Sequence, residues 1–193
     1  MQKHTSRQLQ AQKTKRKIYN SAVDLFKKHG FDNTTIEDIS RKAGVSVGAF
    51  YHYYISKADI YSELYRKIDE YFENTVTALM VEEHFYDNIL IFFKHYAMYN
   101  SERGVDAVKQ LFNTENALFL DDSRYLFCLL RQVLQTGKDK NQFTESLTAE
   151  EAEELLMVSA RGVVYHWMLH NGDFDMKVKM EDSLLKLKPI FVA

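Results

Sequence analysis

Residues 30–57 run Gly-Phe-Asp-Asn-Thr-Thr-Ile-Glu-Asp-Ile-Ser-Arg-Lys-Ala-Gly-Val-Ser-Val-Gly-Ala-Phe-Tyr-His-Tyr-Tyr-Ile-Ser-Lys, which reads as two short helices joined by a glycine-centred turn. Thr34 and Thr35 open the first helix. Thr34 with Glu37 has the S/T-x-x-E spacing of a capping box, in which hydroxyl and carboxylate satisfy free amides at the helix start. Ile36, Ile39 and Ala43 recur at helical spacing and give a narrow inward face. Gly44 follows where a helix end commonly needs a positive φ. Val45 plugs the turn, Ser46 caps the next helix, and that helix is expected from about Val47 to Tyr53. Ser56 is a further capping candidate, with Lys57 opening a long helix. Two helices in this arrangement form a unit that can lay its second helix in a DNA major groove.

Working outward, the charge supports the same reading. The net charge of the 193 residues is −2, but residues 1–67 hold 13 Lys/Arg against 6 Asp/Glu, while residues 68–193 hold 12 against 21. A basic N-terminal part is the electrostatic footprint of phosphate binding, and an acidic remainder confines that binding to one end. Lys13, Lys15, Arg16 and Lys17 cluster at the start of the first helix, placed either to touch the DNA backbone or minor groove or simply to be solvated. Residues 1–12 are polar and expected to be mobile. One cysteine and one proline, no apolar run of membrane-spanning length and no signal-peptide stretch give the expectation of a cytoplasmic protein.

The threonine pair before Ile36, Asp38-Ile39, Ala43-Gly44-Val45-Ser46, Gly48, the aromatic run Phe50 to Tyr54 and Ser56-Lys57 resemble the DNA-binding domain of the TetR/AcrR family of transcriptional regulators. Ile18, Ala22, Leu25 and Phe26, followed by His29-Gly30-Phe31, resemble that family's first helix. Ala49 departs from the pattern, standing where threonine is frequent. The resemblance implies phosphate contacts from Tyr51 and Lys57, then Thr35 and Tyr53. It implies a base-facing edge of Val47, Gly48, Ala49 and His52 beside the capping Ser46. Val47 and Ala49 can offer only apolar contact, and only His52 brings a hydrogen-bonding edge, so water and DNA shape are expected to carry much of the specificity.

From Lys57 the chain reads as helices throughout: 57–80, with Ile60, Leu64, Ile68, Tyr71, Phe72 and Thr75 on one face, then 83–99, 103–113 and 122–136. Gly137 and Lys-Asp-Lys-Asn mark a loop. Thr148 with Glu151 repeats the capping-box spacing before a helix reaching about His170, and a last helix spans about 175–188, ending before Pro189. The expected fold is therefore all-α, with a helix-turn-helix domain at 1–56 and a helical regulatory and dimerisation domain at 57–193. By resemblance, the last two long helices pair with a second copy through Leu155, Ser159, Gly162, Val163 and Trp167. A small, largely apolar effector would sit among Phe92, Tyr96, Tyr99, Phe112, Tyr125 and His166, with Phe85, Phe93, Phe119 and Phe127 nearby, although aromatics at helical spacing equally describe plain core.

No nucleophile elbow, glycine-rich phosphate loop or Cys-x-x-Cys is present, and the His166/His170 pair lacks further ligands, so neither catalysis, cofactor nor metal is expected. The expected partners are double-stranded operator DNA, a small-molecule effector and a second copy of the chain. The rival readings are a DNA-binding protein whose second domain docks another protein, and an all-α enzyme with a vestigial helix-turn-helix.

Overall fold

The computed structural model describes residues 6–112 and 122–193. Among these there is no strand; one antiparallel bridge joins Phe143 and Val192. The chain divides into two compact units, residues 1–64 and 65–193. That division lies inside a helix, whereas the sequence suggested 56/57.

The first unit contains α1 (Ser6–His29), α2 (Ile36–Ala43), α3 (Val47–Tyr53) and the start of α4 (Asp59–Tyr71). Residues 6–12, expected to be mobile, are the opening turns of α1. The core is built from Ile18, Tyr19, Ala22 and Phe26 of α1, Ile39 and Ala43 of α2, Phe50 of α3, and Tyr54 and Ile60 beyond it, all buried. These positions repeat every three or four residues, which is why three short amphipathic helices close on one another.

In the second unit, α4 runs on into a π-helical turn (Phe72–Val76) and a 3-10 turn (Thr77–Leu79). The Thr77 hydroxyl donates to the Phe72 carbonyl at 2.9 Å, five residues back. The wider π turn changes the helical phase, so Val76 is buried and Thr75, expected inward, is exposed. The side chain of Leu64 lies outside the described set, as does Phe119.

Helices α5 (Phe85–Ser101), α6 (Val105–Leu111), α7 (Tyr125–Asp139), α8 (Ala149–Leu169) and α9 (Met176–Phe191) complete the unit. α9 packs along α5 and α8, and α7 lies against the same two helices. A chain of rings forms the core: Phe72 to Phe92 at 4.7 Å and Phe92 to Phe93 at 4.9 Å between centroids. The buried Tyr86 hydroxyl donates to the Leu184 carbonyl at 2.5 Å and ties α9 to α5.

Two breakers proved not to break. Gly137 lies within α7 and is buried; a Cβ there would stand 2.5 Å from Cγ of Phe85. The residue is glycine so that the Phe85 ring can rest on the helix backbone, and not because the chain turns. Pro189 lies inside the last turn of α9. Its missing amide leaves the Leu185 carbonyl without its helical donor, and so near the helix end no further turn is interrupted. The turn is held from outside by fully buried Phe191, whose carbonyl accepts from Thr144 N at 2.9 Å.

Candidate nucleic-acid interface

The helix-turn-helix is fixed by local hydrogen bonds at each end. Thr35, not Thr34, caps α2: its hydroxyl oxygen accepts from Asp38 N at 3.1 Å, and the Asp38 carboxylate accepts from Thr35 N at 3.2 Å. Thr34 is unavailable because it is buried and donates its hydroxyl to the Gly30 carbonyl at 2.8 Å. The capping box therefore sits one residue later than the spacing suggested, with aspartate in place of Glu37. Hydrogen bonds from Thr35 hold the Asp38 carboxyl below its usual range. Gly44 adopts φ 66°, and its amide with that of Val45 closes α2 onto Arg41 and Ser40 carbonyls. The Ser46 hydroxyl then accepts from Ala49 N at 3.1 Å and starts α3.

Burial of Phe50 and Tyr54 sets which side of α3 faces out. Ser46, Val47, Gly48, Tyr51 and His52 are exposed, while Ala49 and Tyr53 are half-buried. The structure thus brings seven of the nine expected DNA-facing residues together on one short helix and its cap. Among the described residues nothing requires Gly48 to be glycine: a Cβ there would meet only the Ser46 hydroxyl, at 3.9 Å. Exposed Ile55 adds an apolar side chain immediately after this edge.

The remaining two residues have structural employment. The Thr35 hydroxyl is engaged on both sides, donating to the Asp38 carboxylate at 2.7 Å as well as accepting from its amide. The Lys57 ammonium donates to the Phe31 carbonyl at 2.8 Å and the Thr34 carbonyl at 3.0 Å, and lies 4.3 Å from the Phe31 ring centroid. It straps the α1–α2 loop to the turn after α3 and is not extended toward solvent as a phosphate contact would be.

In the second unit, Phe92, Tyr96 and Tyr99 belong to the buried ring cluster, and Phe112 and Tyr125 are half-buried. Burial pushes the Tyr99 phenol up to about 12 and raises that of Tyr96 as well. Tyr125 shares a hydrogen bond with Thr77 at 3.0 Å. His166 is exposed, with His170 and Phe174 as its ring neighbours, so it does not belong to that core cluster. A groove of about 420 Å³ between α7 and α8 is floored by Phe127 and Met157 and edged by Arg131, Glu153 and Arg161. Burial raises the Glu153 carboxyl, partly offset by Arg131 at 3.5 Å.

Two of the expected pairing residues, Val163 and Trp167, are buried within the chain itself; the Trp167 indole donates to the Phe174 carbonyl at 3.1 Å. The outward side of α8 carries half-buried Leu155 and Ser159 with exposed Val158, Gly162, Tyr165 and Leu169. Tyr165 and Leu169 escaped the sequence reading. The alternating three- and four-residue steps from 155 to 169 would have revealed them, since that spacing is the seam of a packed helix pair.

Among the described residues no helix is long and apolar enough to cross a membrane. Residues 18–64 match the family described as "Bacterial regulatory proteins, tetR family". Over 177 residues the chain is 22% identical to the "Fatty acid metabolism regulator protein" of Bacillus subtilis (strain 168), spanning 88% of this chain and 91% of that protein. It is 21% identical over 179 residues to the "Probable acrEF/envCD operon repressor" of Escherichia coli (strain K12), spanning 86% and 81%. The fold matches the transcriptional regulator FadR from Bacillus subtilis in complex with stearoyl-CoA, with a TM-score of 0.73 at 17% identity over 90% of this chain and 96% of that one. With its helix-turn-helix intact and α3 turned outward, residues 18–64 belong to the tetR family of bacterial regulatory proteins, and the chain as a whole is similar to regulators of that family.

Proposed function

We propose that the protein is a ligand-responsive repressor that binds a near-palindromic operator as a homodimer. The observation that carries this reading is the outward edge of α3, where Val47, Gly48, Tyr51 and His52 are exposed on a helix capped at its start and anchored by buried Phe50. Tyr51 and Tyr53 donate to phosphate oxygens and set register, while Val47, Ala49 and His52 meet base edges. A symmetric operator requires two such helices about 34–36 Å apart. Exposed Val158, Tyr165 and Leu169 on α8, with Val178 and Leu185 on α9, supply the apolar surface on which a second copy packs.

The effector is an amphipathic molecule with a long apolar part, entering unit 2 beside the Phe92, Tyr96 and Tyr99 cluster. The stearoyl-CoA bound by the Bacillus subtilis regulator supports an acyl thioester as the first candidate. An effector releases DNA only to the extent that it binds the non-operator conformation better. Helix α4 carries residues of both units and is the covalent route for that coupling.

The test is selection of genomic fragments by the purified protein, with Tyr51→Phe as control, followed by addition of acyl-CoA esters of graded chain length. One palindromic site, enriched by the parent, weakened in the control and released by an ester, is the expected result. Equal enrichment by both proteins removes the reading of α3, and release by none of the esters removes the effector class.

A further inference from the structure

We propose that the opening turns of α1 form a basic arm that grips duplex DNA flanking the bases read by α3; this rests on the regulator reading above. The first 23 residues hold six Lys/Arg and no Asp/Glu. Residues 6–17 are helical, yet none is buried; the first buried side chain of α1 is Ile18. Twelve helical residues extend about 18 Å. Helices of that length draw their stability from packing an amphipathic face, and this one offers only half-buried Ala11, Thr14 and Lys15. Arg7 near its start and the absence of an acidic residue in the first turn also oppose the positive end of the helix dipole. An external anion answers both deficits.

The root of the arm shows which anion it meets. Tyr54, the residue that ends α3, donates its hydroxyl to the Lys15 carbonyl at 3.5 Å, and Lys15 Nζ lies 5.4 Å from the Tyr54 ring centroid and 3.0 Å from the Glu63 carboxylate. The arm thus leaves the fold at the exit of the reading helix, where Tyr54 follows α3. Lys15 is spent on Glu63. Exposed Lys13, Arg16 and Lys17 stand at three- and four-residue spacing on one face and, with Arg7, are left to meet phosphates.

The test needs no knowledge of the operator, because the phosphate contribution is independent of sequence. Binding of the full chain to a random-sequence duplex of about 30 base pairs is followed by fluorescence anisotropy between about 50 and 200 mM salt. The Arg7→Gln/Lys13→Gln/Arg16→Gln/Lys17→Gln variant is compared with the parent and with Lys94→Gln/Lys109→Gln/Lys179→Gln, which removes exposed cations of unit 2. Each lost phosphate contact flattens the log–log salt slope by about 0.9, so the arm variant flattens it by about 3 to 4 for each copy of the chain bound and the unit 2 variant leaves it unchanged. The arm variant melts like the parent, since its substitutions touch only exposed side chains. An unchanged slope overturns the proposal, as does equal flattening by the unit 2 variant, which would assign the effect to net charge. If the parent itself shows no salt-dependent association, the regulator reading fails and the arm with it.

Discussion

Lys57→Met separates two roles for a residue that the family pattern assigns to phosphate and the structure assigns to the fold. The substitution keeps most of the aliphatic stem and removes the ammonium that holds the Phe31 and Thr34 carbonyls at 2.8 and 3.0 Å. A hydrogen bond to a charged group contributes about 1.5–3 kcal/mol, and partial exposure of this one favours the lower end. With about 0.5–1 kcal/mol for the ammonium over the Phe31 ring, the expected loss is about 2–4 kcal/mol. On a unit of this size each kcal/mol lowers the midpoint by about 4–8 °C, so circular dichroism should show the first unit melting at least about 8 °C earlier. Salt titration supplies the second readout. A strap leaves the slope of DNA binding unchanged, whereas a lost phosphate contact flattens it by about 0.9. An unaltered melt with a slope shallower by about one would refute the strap.

Gly48→Ala should raise or preserve stability, because glycine inside a helix costs up to about 1 kcal/mol relative to alanine and the new methyl meets only Ser46; operator affinity should nevertheless fall at least about tenfold, since one lost close contact is worth about 1.4 kcal/mol or more. An alanine variant that binds as well as the parent would show that α3 does not approach DNA closely there. Gly137→Ala drives a methyl into the Phe85 ring and should cost about 1–3 kcal/mol in denaturant melts, with part of the loss recovered by Phe85→Leu. Val158→Asp/Tyr165→Asp places charges on the exposed side of α8 and should give a monomer by sedimentation, with secondary structure retained. The Tyr99 phenol, pushed up to about 12 by burial, stays neutral in the folded state after unfolded tyrosines ionise near their ordinary value of 10.0. Its contribution is therefore complete below about pH 10 and is lost as the pH rises toward 12, a window open to absorbance titration of phenolate beside circular dichroism. Phenolate appearing at its ordinary pH before unfolding would contradict the burial.

Helix existence was largely written in the chain, because caps and apolar periodicity are local. Ser46, Gly44 and the Thr148–Glu151 box each act within four residues of themselves, and each stands as expected. What escaped was set by distant neighbours. Thr34 and Thr35 are equivalent as caps until burial engages one of them. Gly137 looks like a turn until the Phe85 ring is known to lie on it. Pro189 looks like a stop until Thr144 and the pocket around Phe191 hold the last turn in place. For the interface proposed on α8, the helix carries two apolar sides: Val163 and Trp167 face the interior of their own chain, and Val158, Tyr165 and Leu169 face out. Periodicity gives the angle between those sides but not which of them the rest of the chain will cover. The edge of α3 was more legible, since a seven-residue helix with Phe50 buried leaves few alternatives for Tyr51 and His52. The Lys57 strap was not, because both ends of it depend on a loop more than twenty residues away.

The π turn at Phe72–Val76 makes the helical run beginning with α4 longer by one residue than its hydrogen-bond ladder can number regularly. Such a surplus is a dislocation stored in a one-dimensional lattice. It can migrate by exchanging one carbonyl acceptor for the next, and each step re-faces by about 100° the one residue that it passes. Here it is pinned, because Phe72 and Val76 are both fully buried and a shift of one position would swing one of them out of the core. The pin is therefore made of packing and not of hydrogen bonds. Its strength is set by how tightly Phe92 and its neighbours close around Phe72, so whatever reshapes that cluster also changes the cost of moving the π turn.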